Sequence, residues 1–127
     1  MRTSETSPAD WYRLAEDRLR AADTVYAQAG TTYAGVELLH EAVERYIKGY
    51  LISKGWPLRR THDLSDLLSA AMAYDPAFAE FGPLADNLTD QFWAQHYPGG
   101  DLSGVGADYA EVREDAGKLI AFILRQS

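Results

Sequence analysis

Apolar residues recur at three- and four-residue intervals along most of this 127-residue chain, and no window shows strand alternation bounded by hairpin turns. That periodicity commits the chain to helices. Ser7-Pro8-Ala9-Asp10 supplies an N-cap hydroxyl, a proline at the first helical position and an acid near the positive helix end. The first helix then carries Trp11, Leu14, Ala15, Leu19, Ala22, Val25, Tyr26 and Ala29 inward until Gly30, which suits a left-handed stop. A second helix, capped by Thr31 or Thr32, runs over about 32–54 with its stripe at Val36, Leu39, Val43, Tyr46, Ile47 and Tyr50, and stops at Lys54-Gly55 with Pro57 beyond. Asp63 and Asp66 favour the start of a short third helix over about 64–73. A fourth helix after Gly82-Pro83 points Leu84, Leu88, Phe92 and Trp93 inward, and a last one spans about 106–125. The expected fold is all-α: an up-and-down four-helix bundle with a short additional helix in one connection. It forms a single domain over 1–127, with 1–7 as a flexible tail.

The second helix has more apolar faces than one contact needs. Leu38 and Ile52 point away from the main stripe, and Gly35, Ala42 and Gly49 line a further strip. Glycine inside a helix costs about 1 kcal/mol against alanine, so small residues seven apart imply a close backbone approach. A symmetric dimer supplies such a contact, as does a central place in one bundle.

Composition narrows the function classes. Without cysteine there is no disulfide, thiol nucleophile, thiolate zinc site or iron–sulfur cluster. No run reaches the roughly 18–20 apolar residues of a membrane span, and residues 1–10 lack the apolar stretch of a signal peptide, so a cytoplasmic protein with no membrane partner is expected. The net charge of −7 hides an asymmetry: Arg45, Lys48, Lys54, Arg59 and Arg60 fall within residues 45–62, which contain no acid. Such a segment can meet a phosphate or an acidic partner locally, or it can be solvated surface.

His40, Glu44 and Lys48 stand at i, i+4 and i+8 along one flank of the second helix. The row suits a polar ligand, or else an ordinary surface pair beside a boundary histidine. His62, next to Arg59 and Arg60, suits backbone hydrogen bonding, phosphate contact or acid–base work. His96 precedes Tyr97-Pro98 and suits a cation at a helix C-terminus. Glu37 with Glu41, and Asp86 with Asp90, read as solvated surface. No dense metal-ligand motif, nucleophile elbow or phosphate-binding glycine loop is present, so no metal and no cofactor are expected.

Leu39-His40-Glu41-Ala42-Val43-Glu44-Arg45-Tyr46-Ile47-Lys48-Gly49-Tyr50-Leu51, followed by Gly55, Thr61-His62-Asp63-Leu64 and Leu67-Leu68, resembles the HEPN domain family. Trp11, Ala15 and the late Tyr97-Pro98 fit the same pattern. The resemblance implies a bundle of four to five helices, often a homodimer, frequently beside a minimal nucleotidyltransferase in toxin–antitoxin-like systems. Some members are metal-independent ribonucleases whose motif is an arginine four to six residues before a histidine. No arginine is so placed before His40, His62 or His96, and the family's Arg-Tyr-Pro reads His96-Tyr97-Pro98 here. Histidine lacks the permanent charge and bidentate grip of guanidinium. The expectation is therefore a binding module rather than an enzyme, with His40, Glu44, Lys48, Arg59, Arg60, His62 and Tyr97 engaging a nucleotide, RNA or a nucleotidyltransferase-type partner. A divergent ribonuclease using His62 and His96, or a purely structural dimerisation domain, are the alternatives.

Overall fold

The computed structural model describes residues 1–126; Ser127, the last residue of the expected domain, lies outside the described residues. The helices are α1 (Pro8–Ala29), α2 (Tyr33–Ser53), α3 (Leu64–Met72), α4 (Gly82–His96) and α5 (Tyr109–Arg125), with a 3-10 turn at Pro76–Phe81 before α4. The described residues contain no strand. Four long helices and the short α3 make the all-α bundle that the periodicity predicts.

Local chemistry sets the boundaries. Ser7, Thr32 and Asp63 each accept a hydrogen bond from a backbone N–H of the first turn that follows, leaving fewer orphan donors. α2 ends in a Schellman pair: Trp56 N–H donates to Leu51 O at 3.0 Å and Gly55 N–H to Ile52 O at 3.1 Å. Gly55, at φ 84°, takes the left-handed position this closure requires. The turn sends residues 56–62 back along α2, which positions His62.

α2 is the centre of the molecule, in contact with all four other α-helices. Leu39, Ile47 and Leu51 are fully buried and Tyr50 nearly so, the last against Phe78 with ring centroids 4.7 Å apart. The small-residue strip is covered by α1 of the same chain. A Cβ on Gly49 would lie 2.5 Å from Tyr12 Cε1 and 3.0 Å from Trp11 Cβ, and one on Gly35 would lie 3.6 Å from Val25 Cγ1. The second contact of α2 is thus internal, and the strip carries no argument for another copy.

Three details differ from the periodicity. Leu14, Tyr26 and Ala29 of α1 are exposed, because α1 is an outer helix whose buried residues are only Ala15 and Ala22. Trp93 faces outward and packs on Tyr97 at 4.9 Å. The expected flexible tail contacts the body: Glu5 O accepts from Trp11 Nε1 at 2.9 Å, and the Glu5 carboxylate meets Arg60 at 2.8 Å. Since Trp11 Cβ is anchored at the root of its side chain, Gly49→Ala should cost about 1–3 kcal/mol in chemical denaturation despite the better helix propensity of alanine.

Candidate functional site

Glu37, His40, Glu41 and Glu44 fall at i, i+3, i+4 and i+7, one face of α2. That face meets the end of α4, where Phe92 and His96 are one turn apart, and the loop that brings in His62. Together these seven residues line a cleft of about 300 Å³.

Glu44 is the hub. It is 4% exposed, and its carboxylate lies 2.7 Å from Lys48 Nζ and 3.1 Å from His62 Nδ1. Lys48 is 5% exposed, with Trp11 lying 5.8 Å from its ammonium. Removing a carboxylate and an ammonium from water costs several kcal/mol per ion, and close pairing with added hydrogen bonds offsets it. The pair is therefore not the solvated surface pair that its i, i+4 spacing allows.

The three histidines have different surroundings. His62 is exposed apart from its Glu44 contact. His96, in the last turn of α4, has Nε2 2.8 Å from both oxygens of Glu37, so a carboxylate reinforces the helix end expected to hold it. His40 is 1% exposed, and neither ring nitrogen has a hydrogen-bond partner among the described residues. Its ring stacks on Phe92 at 4.6 Å, and Phe92 stacks on His96 at 4.1 Å, giving a column of three rings. Burial lowers the His40 pKa from 6.5 to about 4, outweighing the opposing pull of Glu44 and Glu37. His40 is thus a neutral imidazole at physiological pH, its ring nitrogens sealed beneath the cleft with Nδ1 3.9 Å from the Glu44 carboxylate.

The cleft brings together four of the sequence candidates, His40, Glu44, His62 and His96, with Lys48 behind Glu44. Three others lie elsewhere. Arg60 pairs with Glu5, and Tyr97, 61% exposed, packs on Trp93 outside the cleft. Arg59 lines a separate cleft with Trp56 and Asp66. Three bases of the segment meet carboxylates of the chain, Arg45 lying 3.7 Å from Glu41, Lys48 pairing with Glu44 and Arg60 meeting Glu5, while Lys54 sits over the Tyr50 ring and keeps its charge. Only Arg59 of the five bases has neither kind of partner among the described residues.

Glu37, Glu41 and Phe92 belong to the site although their spacing reads as surface and core. The signal available in sequence was the shared face of Glu37, Glu41 and Glu44 with His40. What closes the site is Phe92 and His96, more than 50 residues away along the chain. Among the described residues, no group of three or more histidine and acidic side chains is placed to hold a metal ion. No helix among them is long and apolar enough to cross a membrane.

A buried imidazole with no hydrogen bonds is a stability cost retained at this position. His40→Phe, which keeps the stack on Phe92 and removes two unpaired polar atoms, should raise stability by about 1 kcal/mol and Tm by about 3–6 °C. In the wild type, the unfolded His40 binds a proton near pH 6.5 and the folded one only near 4. This contribution to stability is full above pH 6.5 and is lost as pH falls toward 4, by up to about 3 kcal/mol. Chemical denaturation at pH 7 and pH 5 should show a loss that His40→Phe reduces.

No curated protein and no solved structure shows a significant match to this chain. The HEPN domain family model matches residues 8–126, from the first residue of α1 to the last described residue. With its bundle of helices and the second-helix pattern intact, the chain belongs to the HEPN domain family.

Proposed function

We propose that this chain is a non-catalytic HEPN binding module that docks a nucleotidyltransferase-type protein partner through the α2–α4 cleft. The observation that carries this reading is the chemistry of the cleft lining. Three carboxylates and three imidazoles line it, and no lysine or arginine does. A phosphate seeks cationic or N–H donors, which this lining provides poorly; a partner surface rich in donors fits it better. Three of the five bases in the 45–62 segment already meet a carboxylate of the chain, which favours the cleft over that segment as the docking site. Homodimerisation, a toxin–antitoxin-like setting and a cytoplasmic location remain part of the proposal on family membership. The direct test is calorimetry with a minimal nucleotidyltransferase encoded beside this chain's gene. Glu37→Lys, a half-exposed substitution in the cleft, should weaken binding about tenfold or more, while Arg59→Ala should change it less than about twofold. Loss of affinity in Arg59→Ala alone would contradict the placement of the interface.

A second reading has its own observation. His62 with Glu44 and His96 with Glu37 are two imidazole–carboxylate pairs in one cleft, an arrangement suited to proton transfer at a phosphodiester. Cleavage of single-stranded RNA in the presence of a chelator, abolished by His96→Ala, would establish that divergent ribonuclease. Equal background rates in wild type and variant would dismiss it.

A further inference from the structure

The cleft has unused hydrogen-bonding capacity that its own chain does not fill. His40 is sealed from bulk water, yet both of its ring nitrogens are unpartnered and the residue lines the cleft. A buried polar group left this way is uncommon in native proteins and points to a missing partner.

The charges around it say what that partner is. Glu44 is matched by Lys48 at 2.7 Å. Glu41 has two arginines near it, Arg18 at 3.4 Å and Arg45 at 3.7 Å, and no hydrogen bond to its carboxylate. Among the described residues Glu37 is met only by His96, which is a full cation only when protonated. The unmatched negative charge therefore sits at Glu37, one helical turn from Glu41 and three residues from His40. A group that fills the cleft must be positively charged and must donate hydrogen bonds in several directions at once. Glu37 and Glu41 project from successive turns, roughly 6 Å apart, and both line the cleft with the His40 ring. An ammonium concentrates its donors at one point. A guanidinium spreads five N–H groups over a rigid plane and stacks on aromatic rings, and the column His40–Phe92–His96 forms one wall here.

We infer that the α2–α4 cleft receives a guanidinium group, the side chain of an arginine presented by the docked protein, held by Glu37 and Glu41 against the His40–Phe92–His96 column. This rests on the docking reading above, and a small probe separates the two. N-acetyl-arginine amide, which carries only the guanidinium charge, is titrated into the purified chain while the imidazole resonances of His40, His62 and His96 are followed by NMR. The lysine analogue serves as comparison. The expected result is a saturable shift at His40 and His96, weakened about tenfold by Glu37→Gln, with the lysine analogue binding several-fold more weakly. Glu37 is half-exposed, and retention of the helical circular dichroism and Tm in the variant would show that it folds.

Absence of saturation, or equal affinity in Glu37→Gln and wild type, would overturn the assignment and reduce the effect to adventitious binding of a cation. Equal binding of both analogues would also overturn it, since a point charge would then suffice. If the nucleotidyltransferase partner binds and the arginine analogue neither binds nor competes, docking stands and the guanidinium assignment falls. If the analogue binds but no partner does, the assignment stands without the docking partner.

Discussion

The burial of Glu44 and Lys48 on α2 constrains the rest of the molecule. A helix that places a carboxylate and an ammonium out of water must be enclosed, and each enclosing element has a specific task. Trp11 of α1 covers the Lys48 ammonium, and that coverage needs α1 close enough for Gly49 to meet Tyr12 and Trp11. The Schellman turn at Gly55 returns the chain so that His62 reaches Glu44, and Asp63 then starts α3 immediately afterwards. The tail adds Glu5, which holds both the Trp11 indole and Arg60. Packing and electrostatics are therefore one arrangement here, because the contacts that bury the apolar stripe also exclude water from the ion pair.

On the other side of Glu44 the same helix face is left incompletely satisfied. His40 stacks on Phe92 but its ring nitrogens have no hydrogen-bond partner among the described residues, while His62 and His96 each have a carboxylate. A sequence shaped for stability alone would place an apolar side chain at position 40. Departures of this kind concentrate where a surface has to receive something, and they are local conflicts between folding and binding. On the proposed reading, the cleft rather than the basic segment receives the partner.

What could be read from the sequence was governed by range. Helix starts and stops are local events, so Ser7-Pro8, Thr32, Gly55 and Asp63 declared themselves through hydroxyl, carboxylate and glycine chemistry. The row His40, Glu44, Lys48 was equally visible, being a consequence of helical pitch. Whether that row was buried depended on Trp11, which lies far back in the chain. The segment 45–62 looked cationic because a linear count cannot see Glu5 against Arg60, 55 residues apart. The pairing of Glu37 with His96 spans 59 residues and was hidden for the same reason. The small-residue strip correctly implied a close backbone contact, but spacing alone does not say which helix supplies it, and α1 does.

The central claim is that Glu44 and Lys48 form a buried, coupled pair around which the HEPN bundle and its cleft are organised. A double-mutant cycle with Glu44→Gln, Lys48→Met and the double variant, read by urea denaturation at neutral pH, measures it directly. The account predicts a coupling energy of about 2 kcal/mol or more, with each single substitution more damaging than the pair together would suggest. A coupling of about 0.5 kcal/mol or less, the value of an exposed i, i+4 pair, would contradict it.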